Sequence, residues 1–464
     1  MNRYYLFFIC LVSALGGLLF GYDWVVIGGA KPFYELFFNI ESSQSLQGLA
    51  MAIALIGCMI GAMVCGALAD KMGRKWLLVV SSLLFLASSF GTGAAKTFSM
   101  FLIFRFFCGI GIGLASGLSP MYIAEVAPSN IRGRLVSLNQ MAIVIGILSA
   151  QVVNWLIAQP IPDGYTAADI LHSWNGQIAW RWMFWAAAFP AGIFMILSLF
   201  IPESPRWLIM KGRENAASGI LKRIGGSDYA SQELNSVKNT MDASNDKHHI
   251  SLGQVFKKPY QKIILLGIFI AVFQQWSGTN VIFNYAQEVF QSAGFTINNM
   301  FLNIVVTGIA NVVSTIIAIL VVDRLGRRLL MLIGAIGLCV LYLLLGVCYF
   351  YHVSGIFMII LVVSAISCYA LTLGPCTWVL ISELFPNKMR ALGVSVCTFS
   401  LWVGSTTLTY TFPLLNASLG SWGTFWIYSL ICGISFIVLY HKLPETKDKS
   451  LEEIEEKLIG TVGQ

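Results

Sequence analysis

The sequence predicts an all-α membrane protein with twelve transmembrane helices in two six-helix bundles. Of its 464 residues, 57% are hydrophobic and only 11% are charged, whereas an average soluble domain is about 25% charged. Twelve apolar runs reach the length of about 20 residues that is needed to cross roughly 30 Å of hydrocarbon. Three charged motifs also occur twice, at corresponding places in the two halves, which indicates an internal duplication.

The twelve runs fall into six before and six after one long hydrophilic stretch. The predicted spans lie near residues 4–30, 46–69, 76–95, 99–124, 136–159, 181–201, 262–289, 300–322, 329–350, 355–381, 391–414 and 422–441. The first run continues well past the apolar region of a signal peptide, which favours a first span. The predicted domains are an N-terminal bundle over 1–201, a cytoplasmic linker with short helices over 202–260, a C-terminal bundle over 261–441 and a cytoplasmic tail over 442–464.

The distribution of Lys and Arg predicts the orientation. Of 29 such residues, Lys31, Lys96 and Arg181 fall in segments predicted to lie outside and Arg105 falls within a span. The other 25 fall at the N-terminus, in alternate loops or in the tail, which is the positive-inside pattern. We therefore predict a multi-pass protein of the plasma membrane (in a bacterium, the cytoplasmic or inner membrane) with both termini in the cytoplasm. The net charge of +7 reports this orientation and does not predict a nucleic-acid partner.

The duplicated motifs combine acidic and basic residues at the ends of predicted helices. They are Asp70 to Arg74 and Asp323 to Arg327 after spans 2 and 8, Glu125 to Arg132 and Glu383 to Arg390 after spans 4 and 10, and Pro202-Glu-Ser-Pro-Arg-Trp207 and Pro444-Glu-Thr-Lys447 after spans 6 and 12. Charges at helix ends can cap and cross-link neighbouring helices. Two interpretations stay open: solvated loop charges that set the topology, or a salt-bridge network that gates the cytoplasmic side.

Asp23 and Arg105 are ionisable residues in long apolar runs. An ionisable group at bilayer depth is costly, so it is normally paired, directed inward and functional. A carboxylate that gains and loses a proton beside a permanent cation is what proton-coupled transport requires. The alternative is a structural ion pair that joins spans 1 and 4.

Neutral amides within the predicted spans indicate a polar cavity, because an unpaired amide in hydrocarbon is costly. A sugar pocket needs amides that donate and accept hydrogen bonds, together with an aromatic ring that packs on the sugar. Ser277 and Gly278 permit a helix break in span 7, and Gly374 with Pro375 permits another in span 10, beside Trp378. For a single amide, a hydrogen bond between helices is the alternative. The amides are Gln140, Gln274, Gln275, Asn280 and Asn311.

Together, these motifs resemble the sugar porter family of the major facilitator superfamily, and most closely its bacterial xylose–proton symporters. The resemblance covers essentially the whole chain and includes the Gln-Gln-x-x-Gly-x-Asn of span 7. It implies the major facilitator fold, alternating access and a monosaccharide bound at mid-depth. It also implies that the motif charges form the cytoplasmic gating network: Asp70, Arg74, Glu125, Arg132, Asp323, Arg327, Glu383 and Arg390.

By resemblance, further residues match the sugar-contacting positions of the family. The implied substrate-binding set is Phe20, Gln140, Gln274, Gln275, Asn280, Asn284, Asn311, Gly374, Trp378 and Trp402. Two positions depart from the relatives: Asn284 replaces the first Tyr of a Tyr-Tyr pair, and Leu401 replaces Gln or Asn. Asp23 stands where proton-coupled relatives carry Asp and facilitative animal transporters carry Asn, and Arg105 is at the matching position of span 4.

The sequence therefore predicts a proton-coupled monosaccharide symporter, with an aldopentose or aldohexose as substrate and xylose first. Its predicted partners are a monosaccharide, protons and the lipid bilayer, and we expect it to work as a monomer without a cofactor or metal. The alternatives are a facilitative sugar uniporter and, in a different class, a membrane sugar sensor that does not transport. An enzyme is not expected, because the sequence has no metal cluster, nucleophile–base pair or phosphate-binding Gly loop.

Overall fold

The computed structural model of the chain is almost entirely helical where it is described. It describes residues 2–128, 130–162, 164–245, 256, 260–385 and 389–445, while the side chains of 238–245, 297, 298, 323, 382, 390 and 391 lie outside that description. The duplicated residues Asp323 and Arg390 therefore have no described side chain. The predicted tail over 442–464 lies outside the description from residue 446 onward.

The first half of the chain supplies helices α1 to α8, and short helices follow them. Their bounds are α1 Arg3–Phe37, α2 Gln44–Met72, α3 Arg74–Gly93, α4 Phe98–Val126, α5 Arg132–Ile157, α6 Ala167–His172, a π-helical segment Asn175–Ala179, α7 Trp180–Ala186, α8 Ala188–Phe200, α9 Pro205–Met210, α10 Glu214–Gly225 and α11 Ser227–Asn245. The last three are the short helices predicted for the linker.

The second half supplies helices α12 to α19. Their bounds are α12 Gln261–Trp276, α13 Thr279–Asn284, α14 Ala286–Ser292, α15 Ile297–Leu325, α16 Arg327–Phe350, α17 Ile356–Leu371, α18 Leu373–Glu383 and α19 Arg390–Lys442. Helix α19 contains a kink at Gly420, whose φ of 68° and ψ of 172° are not helical. Two helices, which correspond to the predicted spans 11 and 12, therefore meet at this residue.

Among the described residues, 11 helical segments are long and apolar enough to cross a membrane. One of them, Leu392–Lys442, has 51 residues and contains both of the last two predicted spans. A helix satisfies its own backbone hydrogen bonds, which is why apolar segments can cross hydrocarbon in this form. The fold class predicted from the sequence is therefore confirmed.

The chain forms two compact units. Unit 1 comprises Met1–Trp24, Gly57–Ser149 and Phe184–His248, and unit 2 comprises Val25–Ile56, Ala150–Met183 and His249–Gln464. Helices α1, α2, α5 and α7 each contribute residues to both units. These units do not follow the predicted bundle boundaries at 201 and 261, which stay a prediction.

Spans 7 and 10 are each interrupted by a helix break, which lies at the predicted place in span 7 and two residues before the predicted Gly374–Pro375 in span 10. Gly278 separates α12 from α13 with a φ of 88°, a left-handed conformation that glycine adopts at little cost. Thr372 separates α17 from α18, with a φ of −125° and a ψ of −84°. Both breaks lie beside residues that the sequence assigns to the sugar pocket.

Candidate functional site

Asp23 on α1 and Arg105 on α4 form a buried ion pair within unit 1. Arg105 Nη1 donates to Asp23 Oδ1 over 2.6 Å. The two residues are 5% and 2% exposed, respectively. A buried charge is tolerated only when it is paired and hydrogen-bonded, so this contact explains how both charges persist among apolar helices.

The two oxygens of the Asp23 carboxylate differ in their surroundings. Oδ1 also accepts a hydrogen bond from the Cys108 thiol, with a sulfur–oxygen distance of 3.3 Å. Oδ2 is buried and has no hydrogen-bond partner among the described residues. The Arg105 guanidinium lies 5.6 Å from the centre of the Phe184 ring, a cation–π distance. One oxygen is therefore held by two donors, while the other can accept a proton without displacing either of them.

Three amides of span 7 form a chain of hydrogen bonds within unit 2. Asn280 Nδ2 donates to Gln275 Oε1, and Gln275 Nε2 donates to Gln274 Oε1 over 2.6 Å. The break at Gly278 lies within this chain of bonds, because the two glutamines are on α12 and Asn280 is on α13, which begins at Thr279. The direction of the bonds leaves the amide nitrogen of Gln274 and the amide oxygen of Asn280 at the two ends of the chain.

The remaining predicted sugar positions differ in exposure. In unit 2, Asn284, Asn311 and Trp402 are buried, while Trp378 on α18 is 43% exposed and Gly374 is partly buried. In unit 1, Phe20 and Gln140 are partly buried. The Phe20 ring packs edge-on against Trp24 at a centroid distance of 5.5 Å. Leu401, like Asn284 a position that departs from the family, is buried at 3% exposure.

The duplicated motif of the first half forms a charge cluster within unit 1. Arg74 contacts Asp70 Oδ1 and Glu125 Oε1, each at 3.0 Å, and Glu125 also accepts a hydrogen bond from the Ser204 hydroxyl. These contacts join α2, α3, α4 and the segment before α9. Arg132 is the first residue of α5.

The corresponding motif of the second half forms an equivalent contact within unit 2. Arg327 Nη2 lies 3.3 Å from Glu383 Oε1, which matches the Arg74–Glu125 pair of the first half. The side chains of Asp323 and Arg390 lie outside the described residues. Each half thus joins the first residue of its third span to the end of its fourth span.

Two glutamates of the duplicated motifs cap helices, a role that sequence reasoning missed. Glu203 Oε1 accepts from the backbone N–H groups of Arg74 and Lys75, over 2.8 and 3.1 Å. Glu445 accepts from the N–H groups of Arg327 and Arg328, over 3.0 and 3.2 Å. A carboxylate is favourable there because the first N–H groups of a helix have no helical partner. The signal available in the sequence was that both glutamates recur with the loops that they cap.

No group of three or more His, Cys, Asp and Glu in the described part of the chain is placed to hold a metal ion. All ten cysteines are free thiols, of which eight are buried and two are partly buried. Such positions are typical of cysteines that act as small buried side chains.

Comparison with known proteins establishes the family. Residues 9–458 match the family described as "Sugar (and other) transporter". The chain belongs to this family of sugar transporters. Its relatives include the arabinose–proton symporter of Bacillus subtilis, with 36% identity over 97% of this chain and 94% of the relative. They also include the D-xylose–proton symporter of Escherichia coli strain K12, with 35% identity over 98% and 96%.

A solved structure confirms the fold assignment. The inward-open conformation of the xylose transporter from E. coli matches with a TM-score of 0.85 and 34% identity, over 98% of this chain and all of that one. The protein is therefore a sugar transporter of the major facilitator type, spans the plasma membrane several times and is not an enzyme.

Proposed function

We propose that this sugar transporter is a proton-coupled symporter that imports a monosaccharide by alternating access. The observation that carries the proposal is the buried pair of Asp23 and Arg105, whose side chains are 7% and 3% exposed. Two relatives described as proton symporters, for arabinose and for D-xylose, support it. We propose an aldopentose or aldohexose as substrate, with xylose first, and both termini in the cytoplasm.

In this proposal, Asp23 is the proton-binding group and Arg105 makes proton binding depend on the conformation. A proton added at Oδ2 neutralises the carboxylate and removes most of its attraction for the guanidinium. Conversely, a conformational change that moves Arg105 away from Oδ1 leaves a buried carboxylate whose charge is unfavourable unless it binds a proton. Proton binding and helix movement are then coupled through one contact.

We further propose that the amides of span 7 bind the hydroxyl groups of the sugar. The amide nitrogen of Gln274 can donate to a hydroxyl oxygen, and the amide oxygen of Asn280 can accept from a hydroxyl. The exposed indole of Trp378 offers a flat apolar surface for the sugar ring. The other substrate-binding residues proposed from the family resemblance are Phe20, Gln140, Gln275, Asn284, Asn311, Gly374 and Trp402.

The charge clusters of the duplicated motifs form the proposed cytoplasmic gate. Each cluster joins helix ends inside its own unit, so a change in these contacts would shift helices relative to their neighbours. We propose the same role for Arg132, Asp323 and Arg390 from their places in the motifs.

The decisive test is the Asp23→Asn variant in proteoliposomes, because asparagine keeps the size of the side chain and removes its titratable group. We expect loss of uphill sugar accumulation driven by a pH gradient, with sugar counterflow largely retained. Asp228→Asn is the matched control, since it makes the same change at an exposed residue of α11.

Each of three other outcomes would lead to a different conclusion. Accumulation that persists in Asp23→Asn, with sugar-induced proton uptake, would refute the role of this carboxylate. Counterflow without accumulation in the unmodified protein would indicate a uniporter, and sugar binding without counterflow would indicate a sensor. Competition by a panel of pentoses and hexoses would then identify the preferred sugar.

A further inference from the structure

A second buried cluster of charges lies within unit 2, near the end of α1 that is predicted to face outside. Lys31 Nζ is 2.9 Å from Glu35 Oε1 one helical turn later, and it also donates a hydrogen bond to Glu288 on α14. The three side chains are 4%, 9% and 21% exposed, respectively. The ammonium group also lies 5.5 Å from the centre of the Tyr285 ring.

The position of this cluster connects two parts of the proposed transport mechanism. On α1, Lys31 follows Asp23 by eight residues, which is about 12 Å along a helix. On the other side of the contact, Glu288 follows Asn280 by eight residues. The ion pair of Lys31 and Glu288 therefore joins the helix of the proposed proton site to the chain segment of the proposed sugar site.

The surrounding contacts show that this part of α1 packs closely against span 7 and also against α15. A Cβ atom at Gly28 would lie only 2.7 Å from the backbone oxygen of Asn284. Five residues after Gly28 on α1, the Phe33 ring stacks on Phe301 of α15 at a centroid distance of 6.3 Å. Both contacts belong to unit 2, in which Val25–Ile56 is grouped with His249–Gln464.

The chemistry of the cluster suits a contact that opens and closes. Burying an ammonium and two carboxylates is costly, and an apolar set of similar volume would often be as stable or more stable. Ionic side chains have a different advantage, because they regain hydration when they are separated, whereas separated apolar surfaces remain exposed to water at a cost. A charged contact therefore lowers the cost of opening compared with an apolar one.

We propose that Lys31, Glu35 and Glu288 form a charge clamp that holds α1 against span 7 while the outer side is closed, and that separates when the outer side opens. The proposal rests on the alternating access described above. In the closed state the clamp shields the segment around Asn284. In the open state its three side chains are hydrated and Asn284 becomes accessible from outside.

The test measures access to position 284 and does not require sugar uptake. Asn284 is 4% exposed, so an Asn284→Cys reporter should react slowly with a membrane-impermeant maleimide applied to intact cells. The parent protein without the reporter supplies the background labelling of the ten native cysteines. Adding Lys31→Met should raise the reporter labelling rate at least fivefold. Lys96→Met is the matched control, because Lys96 is exposed in a segment also predicted to lie outside, and it should leave the rate unchanged.

Charge reversal distinguishes a specific contact from general damage to the fold. The double change Lys31→Glu with Glu288→Lys should return labelling toward the slow rate, whereas each single reversal should be fast. If Lys31→Met does not fold, Glu288→Gln gives the same test, since it removes one charge and keeps the side-chain size. Slow labelling in every folded clamp variant, or fast labelling in the double reversal, would overturn the clamp. Sugar accumulation is measured separately in the parent protein, in which Asn284 is intact. If the parent does not accumulate sugar while the reporter variants show these labelling rates, the proposed function is refuted and the clamp is retained.

Discussion

The contribution of the Asp23–Arg105 pair to stability can be separated from its proposed role in coupling by a double-mutant cycle. The cycle compares Asp23→Asn, Arg105→Met and the protein that carries both changes. Removing one partner leaves the other as an isolated buried charge, which typically costs about 3–5 kcal/mol. The geometry of the pair supports the upper part of this range, because the contact is 2.6 Å long and both residues are at least 95% buried.

The double variant should recover most of this loss. Replacing both members of a buried pair by neutral residues is often neutral or stabilising. What remains lost is the cation–π contact of Arg105 with Phe184, worth about 0.5–2 kcal/mol, whereas the amide oxygen of asparagine can still accept the hydrogen bond from Cys108. The two single losses together should therefore exceed the loss in the double variant by about 4 kcal/mol or more, since residues in direct contact do not behave additively.

The assay is the midpoint of thermal unfolding in detergent, measured for all four proteins under identical conditions. Midpoints are compared because a large membrane protein need not unfold in two states. A double variant as unstable as the sum of the two singles would refute the pairing. In proteoliposomes, the recovered double variant should still fail to accumulate sugar, because no titratable group remains at position 23.

Three further predictions concern the sugar pocket and the helix caps. Gln274→Ala and Trp378→Ala should each weaken sugar binding, the former by about 0.5–1.5 kcal/mol for one neutral hydrogen bond; unchanged affinity in both, measured by calorimetry on folded protein, would contradict the pocket. Leu401→Gln should change the ranking of competing sugars, since a site that hydrogen-bonds a hydroxyl rejects analogues lacking it; an unchanged ranking would mean that position 401 only packs. Glu203→Ala and Glu445→Ala should each lower the thermal midpoint through loss of a cap worth about 0.5–2 kcal/mol, whereas Gln at either position should lower it less; equal midpoints for Ala, Gln and the parent would exclude a capping role.

The helical fold and the presence of isolated charges were predictable because each depends on local composition. An apolar run of sufficient length predicts a span by itself. A charge within such a run predicts a partner, and the structure shows that the partner of Asp23 is Arg105. The break in span 7 was likewise predictable, because Gly278 adopts a left-handed φ that other residues rarely take.

Contacts between distant segments were not predictable in the same way. Nothing in the local sequence around Glu203 shows that its carboxylate caps α3, 129 residues earlier in the chain. The hydrogen bond from Cys108 to Asp23 depends on the rotation of α4 about its axis, and the charge clamp depends on the approach of α14 to α1. These features follow from packing, whereas hydropathy and motif spacing report only on the segment in which they occur.

The two halves use the same backbone arrangement and place different chemistry on it. In both, a glycine with positive φ, Gly73 or Gly326, precedes a helix whose first N–H groups are capped by a glutamate from a distant motif. This shared arrangement includes no group at the proposed proton or sugar site. Spans 1 and 4 instead carry a carboxylate and a guanidinium, whereas spans 7 and 10 carry amides and an indole. The duplicated backbone arrangement therefore allows the proposed proton chemistry to lie in one half and most of the proposed sugar recognition to lie in the other. Coupling between the two then requires contacts that join segments from both halves, and the ion pair of Lys31 and Glu288 is such a contact.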